Sequence, residues 1–431
     1  MAASILLRLL PLLLLLLPPA LRDYLPATHR PEDAGVGELH PIILVPGLGC
    51  TDLEVRLTDA YHPSIPRCGV MKGKGWFGLW TNTSDLVAGD DVECFEEQAR
   101  LVYDPAINDY RNLPGVETRF LNFGSASAFH DKNIHHRRGC FDNVREALER
   151  IGYRDGDTLF GAPYDFRYAP PLPGQPSQVY SLYFEQLMGL VETASEKSRH
   201  KKVIIFAHSY GGMVALEFIR STPLAWRERY IKHLVMAAPV LPVGVVEQLI
   251  TLVFQPSGLI YLPALVPSIR RWWRSTESSI VDLPSPKVFG HKPIVITRQR
   301  NYSAYDMEEF FVAIGFSDGI ESFRRRAVPK MRYFEAPMVP MTCINGVGVR
   351  TPRQVVYWEG DYDVAPELVY GDGDGAINLI SMLAFDREMR RQPGQKFKSI
   401  KVQNAEHCAL ILEEWALKRV IDEILEANRV S

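Results

Sequence analysis

The 431-residue chain has almost no net charge: 48 Lys and Arg oppose 51 Asp and Glu, for a formal balance of -3. That offers no electrostatic case for nucleic acid as a partner. The chain also lacks metal-ligand spacing of the H-E-x-x-H kind, and it has neither G-x-G-x-x-G nor G-x-x-x-x-G-K-[ST]. No metal and no nucleotide cofactor is therefore expected. No internal repeat stands out. The Leu-rich run from Leu9 to Leu17 follows Arg8, is broken by Pro11 and precedes Pro18-Pro19-Ala20. It is too short to span a bilayer comfortably, so residues 1–22 are predicted to be a signal peptide, with an uncleaved signal anchor as the alternative. Cysteine is sparse, and six of them leave 15 pairings open.

The composition, 46% hydrophobic and 10% aromatic, is enough for one large α/β domain with insertions or for two domains. Ala207-His208-Ser209-Tyr210-Gly211 follows the apolar run Val203 to Phe206 and opens a helix-like stretch from Met213 to Arg220. Strand, tight turn with a central Ser, then helix is the context of a nucleophile elbow. Small residues are needed two positions either side of the Ser, and Ala still fits where a branched side chain would clash. A reactive Ser needs an acid and a His, which in this arrangement follow in the order Ser, Asp/Glu, His. Gly371-Asp372-Gly373-Asp374-Gly375 lies between the strand-like Gln354 to Trp358 and the helix-like Ala376 to Phe385. Asn404-Ala405-Glu406-His407-Cys408 follows the alternating run Phe397 to Val402. Taken singly, a Gly-Asp repeat is commonly a turn and a lone His a surface group. Their order and their places after strands give them meaning together. His208 is a rival base, but side chains adjacent at an elbow diverge, so it is expected to pack against the sheet. Asp372 is the rival acid. Pro46-Gly47-Leu48-Gly49 leaves the buried strand Pro41 to Val45, where one oxyanion-hole amide is expected, with Leu48 as its source; the other follows the nucleophile, at Tyr210.

The segments Pro41 to Gly47, Leu53 to Leu57, Gly161-Ala162-Pro163-Tyr164-Asp165-Phe166-Arg167, the Ser209 elbow, Gly371 to Gly375 and Glu406-His407 resemble the lecithin:cholesterol acyltransferase family. The match is best with its plant lecithin:cholesterol acyltransferase-like branch, with lysosomal phospholipase A2 as a relative. It spans essentially the whole chain after the leader, and A-P-Y-D-F-R is more specific than the elbow. The resemblance implies an α/β-hydrolase fold over residues 23–431, with a cap or lid insertion at about 240–340 and a small disulfide-closed membrane-binding loop at about 52–95. By position it assigns Ser209 as nucleophile, Asp374 as acid, His407 as base, and Leu48 and Tyr210 as oxyanion donors. It pairs Cys68 with Cys94 and turns Trp76, Phe77 and Trp80 toward lipid, against the bland alternative of a buried aromatic cluster. Two departures stand out. The family's Gly-Asp turn continues Thr-Val where this chain has Ala376-Ile377, and the partner expected for Cys343 is replaced by Phe385. Cys408 adjoins the proposed base without a nucleophile signature of its own.

The sequons at Asn82 and Asn301 fit the secretory route, so the chain is expected to be secreted or delivered to a vacuolar or lysosomal lumen. Arg270-Arg271-Trp272-Trp273-Arg274 could touch anionic headgroups or be a helix face with one buried ring. The function implied is serine-dependent transfer of an acyl chain from a phospholipid ester to a lipid alcohol such as a sterol, or to water, at a membrane or lipoprotein-like surface. A plain phospholipase or esterase is the alternative, and a non-catalytic lipid-binding protein the third reading. Oligomeric state is left open.

Overall fold

Two apolar runs form the centre of the molecule. Ile42–Val45 and Val203–His208 are buried at every position, as strands covered on both faces must be. In the computed structural model, which describes residues 39–79, 92–129, 140–254 and 265–429, they pair in parallel, with Ile42 opposite Ile204 and Val45 opposite Ala207. Residues from His40 onward form one unit. Its main sheet has six strands in the order Phe397–Gln403, Met341–Val347, Ile231–Ala237, Val203–His208, Ile42–Val45 and Leu159–Gly161, all parallel. The chain runs outward from Ile42–Val45 to Leu159–Gly161, then returns to the other side of Ile42–Val45. The strand order therefore reverses between Ile42–Val45 and Val203–His208, and a crevice opens beyond the carboxyl ends of strands at such a switch point. The sequence-predicted elbow and oxyanion loop leave these two strands there. The fold is an α/β hydrolase.

The helix Gly211–Ser221 is buried from Gly211 through Arg220, since it packs against the central strands and has no face left for water. The final helix, Glu414–Arg429, buries only one stripe, including Leu417, Val420 and Ile424.

Outside the main sheet, Asn301–Tyr302, Val295–Ile296, Val349–Val356 and Glu367–Gly373 form a second sheet. The Gly-Asp segment thus begins within Glu367–Gly373, a strand the sequence reading missed, with Asp374 and Gly375 just past its end. Trp76–Gly78, Leu53–Leu57 and Val116–Phe120 form a third, antiparallel sheet. The structure joins Cys68 to Cys94 and also Cys50 to Cys140, whereas Cys343 and Cys408 are free. The signal-peptide region 1–22, Trp80, Asn82 and residues 255–264 of the insertion lie outside the described residues.

A-P-Y-D-F-R works as a brace. Arg167, fully buried, pairs with Asp165 at 2.6 Å and donates to Ala99 O, Asn112 Oδ1 and Thr118 Oγ1 at 2.9 to 3.0 Å. Beside it, Ala169 N–H donates to Glu277 Oε2 at 3.0 Å, and Glu277 Oε1 accepts from Arg326 Nε at 2.6 Å. Glu277 and Arg326 are both wholly buried. Both belong to the insertion, and the pair is tied to the body by the Ala169 amide and by Arg326 Nη1, which donates to Asn108 O at 2.9 Å and Pro176 O at 2.6 Å, charge-assisted bonds in a dry setting.

Candidate active site

The strand Val203–His208 ends in a turn that holds Ser209 at φ 54°. An L residue adopts that left-handed backbone at a cost of about 1 to 3 kcal/mol. The surroundings hold it there: Ser209 N–H donates to Ala237 O at 3.1 Å, and its carbonyl accepts from Gly212 and Val240, each at 2.9 Å. At Gly211 a Cβ would lie 2.3 Å from Pro46 O, so the helix can start this close to the first strand only with glycine there.

Asp374 is completely buried. Its Oδ1 accepts from Ala376 N at 3.0 Å and Ile377 N at 2.6 Å, which leaves Oδ2 to face His407 Nδ1 at 2.9 Å. His407 Nε2 lies 2.8 Å from Ser209 Oγ. The carboxylate can only accept, so Nδ1 carries the proton and donates to it; Nε2 is then the acceptor for the Ser209 hydroxyl. The backbone repeats the link, with His407 N–H donating to Asp374 O at 2.7 Å. The Ala376-Ile377 departure leaves no gap, because Thr351 Oγ1 accepts from Gly375 N at 2.9 Å and the two amides hold the carboxylate. Asp372 instead accepts from Gly348 N at 2.7 Å on the exposed side of the turn.

Burial alone would depress the His407 pKa, but the Asp374 charge and hydrogen bond, with a smaller push from Glu247, raise it above the ordinary imidazole value. His208 behaves oppositely: desolvation, helped by the adjacent His407, pushes its pKa down to about 3. Neutral and 3% exposed, it donates from Nε2 to the His407 carbonyl at 3.2 Å. Its ring lies 5.1 Å from that of His407 and 6.4 Å from that of Phe141, so it braces the His407 loop.

Ser209, Leu48, Tyr210, Asp374 and His407 all line one cleft of about 680 Å³. The Leu48 loop is held by Tyr164, whose hydroxyl donates to Pro46 O at 2.8 Å, and Cys50 beside it is tied to Cys140. The wall facing the triad residues comes from the insertion: Val240, Val245, Glu247 and Gln248 from its start, Trp273 and Asp282 from further on. Glu247 and Asp282 were missed from sequence, since nothing local marks an acidic residue in an apolar segment as cleft-facing. The basic-aromatic pentad buries two rings, Trp272 and Trp273, which meet at 4.7 Å. Its arginines are engaged with protein partners, Arg270 with Asp363, the exposed Arg271 with Glu96, and Arg274 with the Leu252 carbonyl.

Trp76 and Phe77 lie on the edge strand of the third sheet and are half-buried. Successive residues of a strand face opposite ways. Trp76 pairs with Arg56 on the charged face, where the guanidinium groups of Arg56 and Arg119 lie 5.0 and 4.4 Å from its ring centroid. Phe77 pairs with Val55, which is fully buried on the other face. Asn301 is exposed.

The profile of the Lecithin:cholesterol acyltransferase family matches residues 76–313. The rice protein "Lecithin-cholesterol acyltransferase-like 1" is 41% identical over 406 residues, covering 94% of this chain and 90% of its own. Human "Lysosomal phospholipase A and acyltransferase" is 32% identical over 431 residues, covering 96% and 95%. Among solved structures, the crystal structure of the Tle4-Tli4 complex aligns at TM-score 0.45 and 12% identity over 90% of this chain and 98% of that one. With more than half of its length matched by the profile and relatives this similar along nearly all of it, the chain is a member of the lecithin:cholesterol acyltransferase family.

Proposed function

We propose that this chain is a serine-dependent lipid acyltransferase or phospholipase working through an acyl-serine intermediate. The observation that carries the reading is the hydrogen-bond chain Asp374–His407–Ser209 opening onto a largely apolar cleft. His407 takes the Ser209 proton as Oγ attacks a lipid ester carbonyl, and Asp374 fixes the tautomer and stabilises the imidazolium. The amides of Leu48 and Tyr210 stabilise the oxyanion. His407 then protonates the departing alcohol. Water or a lipid alcohol, a sterol among them, accepts the acyl group in the second half. Membership of the family supports a phospholipid as acyl donor, and the two disulfides fit an oxidising secretory compartment. Residues 240–340 act as the cap over the cleft. The third sheet serves as the lipid-facing element, with Trp76 on its open side.

The test uses purified protein, phosphatidylcholine vesicles with a labelled acyl chain, and sterol present or absent. Labelled fatty acid or sterol ester should form, and Ser209→Ala should lower its formation by several orders of magnitude with folding intact. Near-normal turnover by that variant would remove Ser209 from the mechanism. Fatty acid alone, with every alcohol offered, would reduce the activity to hydrolysis.

A further inference from the structure

Three buried polar atoms on the insertion side of the cleft find no hydrogen-bond partner among the described residues: Gln248 Nε2, Trp273 Nε1 and Asp282 Oδ1. All three residues line the cleft that holds Ser209 and His407, and Trp273 and Asp282 keep 7% and 5% of their surface exposed. Unpaired buried polar groups are costly and rare, so three along one wall require a reason. The fold does not supply it. Asp282 is anchored through its main chain, with Val245 N–H donating to Asp282 O at 2.9 Å, and its carboxyl makes no ion pair among the described residues.

The chemistry of the set narrows its ligand. Burial raises the Asp282 carboxyl well above the usual carboxylate range, and the titratable groups facing it are the hydroxyls of Tyr164 and Tyr210. Burial thus favours its protonated form, with one O–H donor and acceptor capacity to spare; the indole adds one donor and the amide two. An ionised phosphate would call for a cation here. An uncharged hydroxyl or ester oxygen would satisfy all three. In a lipid ester the acyl half is hydrocarbon beyond its carbonyl, so further oxygens can come only from the alcohol half.

We propose that Asp282, with Trp273 and Gln248, is a specificity determinant that hydrogen-bonds a second, uncharged oxygen of the alcohol half, so that esters of polyols are preferred over esters of alcohols with a single hydroxyl. The inference rests on Ser209 being the nucleophile of this cleft. By reversibility the same groups would orient an acceptor alcohol.

The experiment compares kcat/KM for butyrate release from glycerol monobutyrate and from propyl butyrate, which has the same three-carbon alcohol without the two further hydroxyls. Wild type should prefer the glycerol ester by about tenfold, the order expected when a buried polar group gains or loses its partner. Asp282→Leu should abolish the preference, and Asp282→Asn, a neutral isostere, should keep most of it. A second readout separates function from structure. Burial raises the folded-state pKa of Asp282 above its unfolded value of about 3.9, so the stability this group contributes is present at lower pH and is lost as pH rises. Asp282→Leu should therefore melt above wild type, and by more at pH 7 than at pH 4. Equal preference in wild type and Asp282→Leu, loss of preference in Asp282→Asn, or a Leu variant that melts lower or fails to fold would each overturn the proposal. If Ser209→Ala still cleaves both esters, or wild type cleaves neither, the nucleophile reading fails with it. If Ser209→Ala is inactive and the preference ignores residue 282, this inference fails alone.

Discussion

At the residue scale, two carboxylates two positions apart have opposite surroundings, and that decides which can act. Asp374 is buried and bonded to His407, whereas Asp372 is exposed and bonded to Gly348 N. Asp374→Asn is expected to lower kcat by roughly three to four orders of magnitude, because the amide favours the wrong His407 tautomer. Asp372→Asn should stay within a factor of about two, as surface changes usually do. Turnover of both variants at one pH tests this, and the reverse ranking would move the acid to Asp372. Glu247 makes a subtler point. It helps to raise the His407 pKa, and a general base works only when deprotonated, so activity rises with pH through that pKa. Glu247→Gln leaves the desolvation of His407 less opposed, and the rising limb of the kcat/KM profile should move to lower pH. A limb that stays in place or moves up would mean that the titrating group is not His407.

At the scale of elements, the strand Trp76–Gly78 divides what the sequence had grouped. The resemblance groups Trp76, Phe77 and Trp80 as lipid-facing, but the strand turns Trp76 and Phe77 to opposite faces. Trp76→Ala should weaken vesicle binding about tenfold, from an apolar loss of roughly 1.5 kcal/mol, with the melting temperature nearly unchanged. Phe77→Ala should instead cost about 2 kcal/mol of stability and leave vesicle affinity close to wild type. Vesicle co-sedimentation and thermal melts on both variants check the division; stability losses in both, with normal vesicle binding, would return the strand to the core. The same register explains why the pattern was opaque: Arg56 and Arg119, which flank the Trp76 ring, lie 20 residues before it and 43 residues after it.

At the scale of the whole molecule, the insertion is held to the body by buried charge. Glu277→Ala would leave Arg326 with only the more distant Asp109, 3.9 Å away, in a dry site and should cost about 3 to 5 kcal/mol. Arg271→Ala breaks a pair with Glu96 whose arginine is 54% exposed, and should cost under about 1 kcal/mol. Denaturant unfolding of the two variants tests the contrast, and comparable losses would mean that the cluster is not the lock.

The elbow, the parallel core and the order Ser, Asp, His were determined by the sequence itself. A strand buried on both faces must be apolar throughout, an elbow must have small residues about its Ser, and both constraints act within a few residues. The tertiary structure decided the rest. The resemblance already pointed to Asp374 over Asp372, but the physical reason, which side of the turn faces a loop 33 residues later, is visible only in three dimensions. Pairing Cys50 with Cys140 closes a separation of 90 residues that spacing cannot single out. The meeting of Asp282, Trp273 and Gln248 with Ser209 in one cleft depends on segments far apart in the chain coming together. Distances in space between segments remote in the chain are set by the packing of the whole core, and no local pattern encodes them.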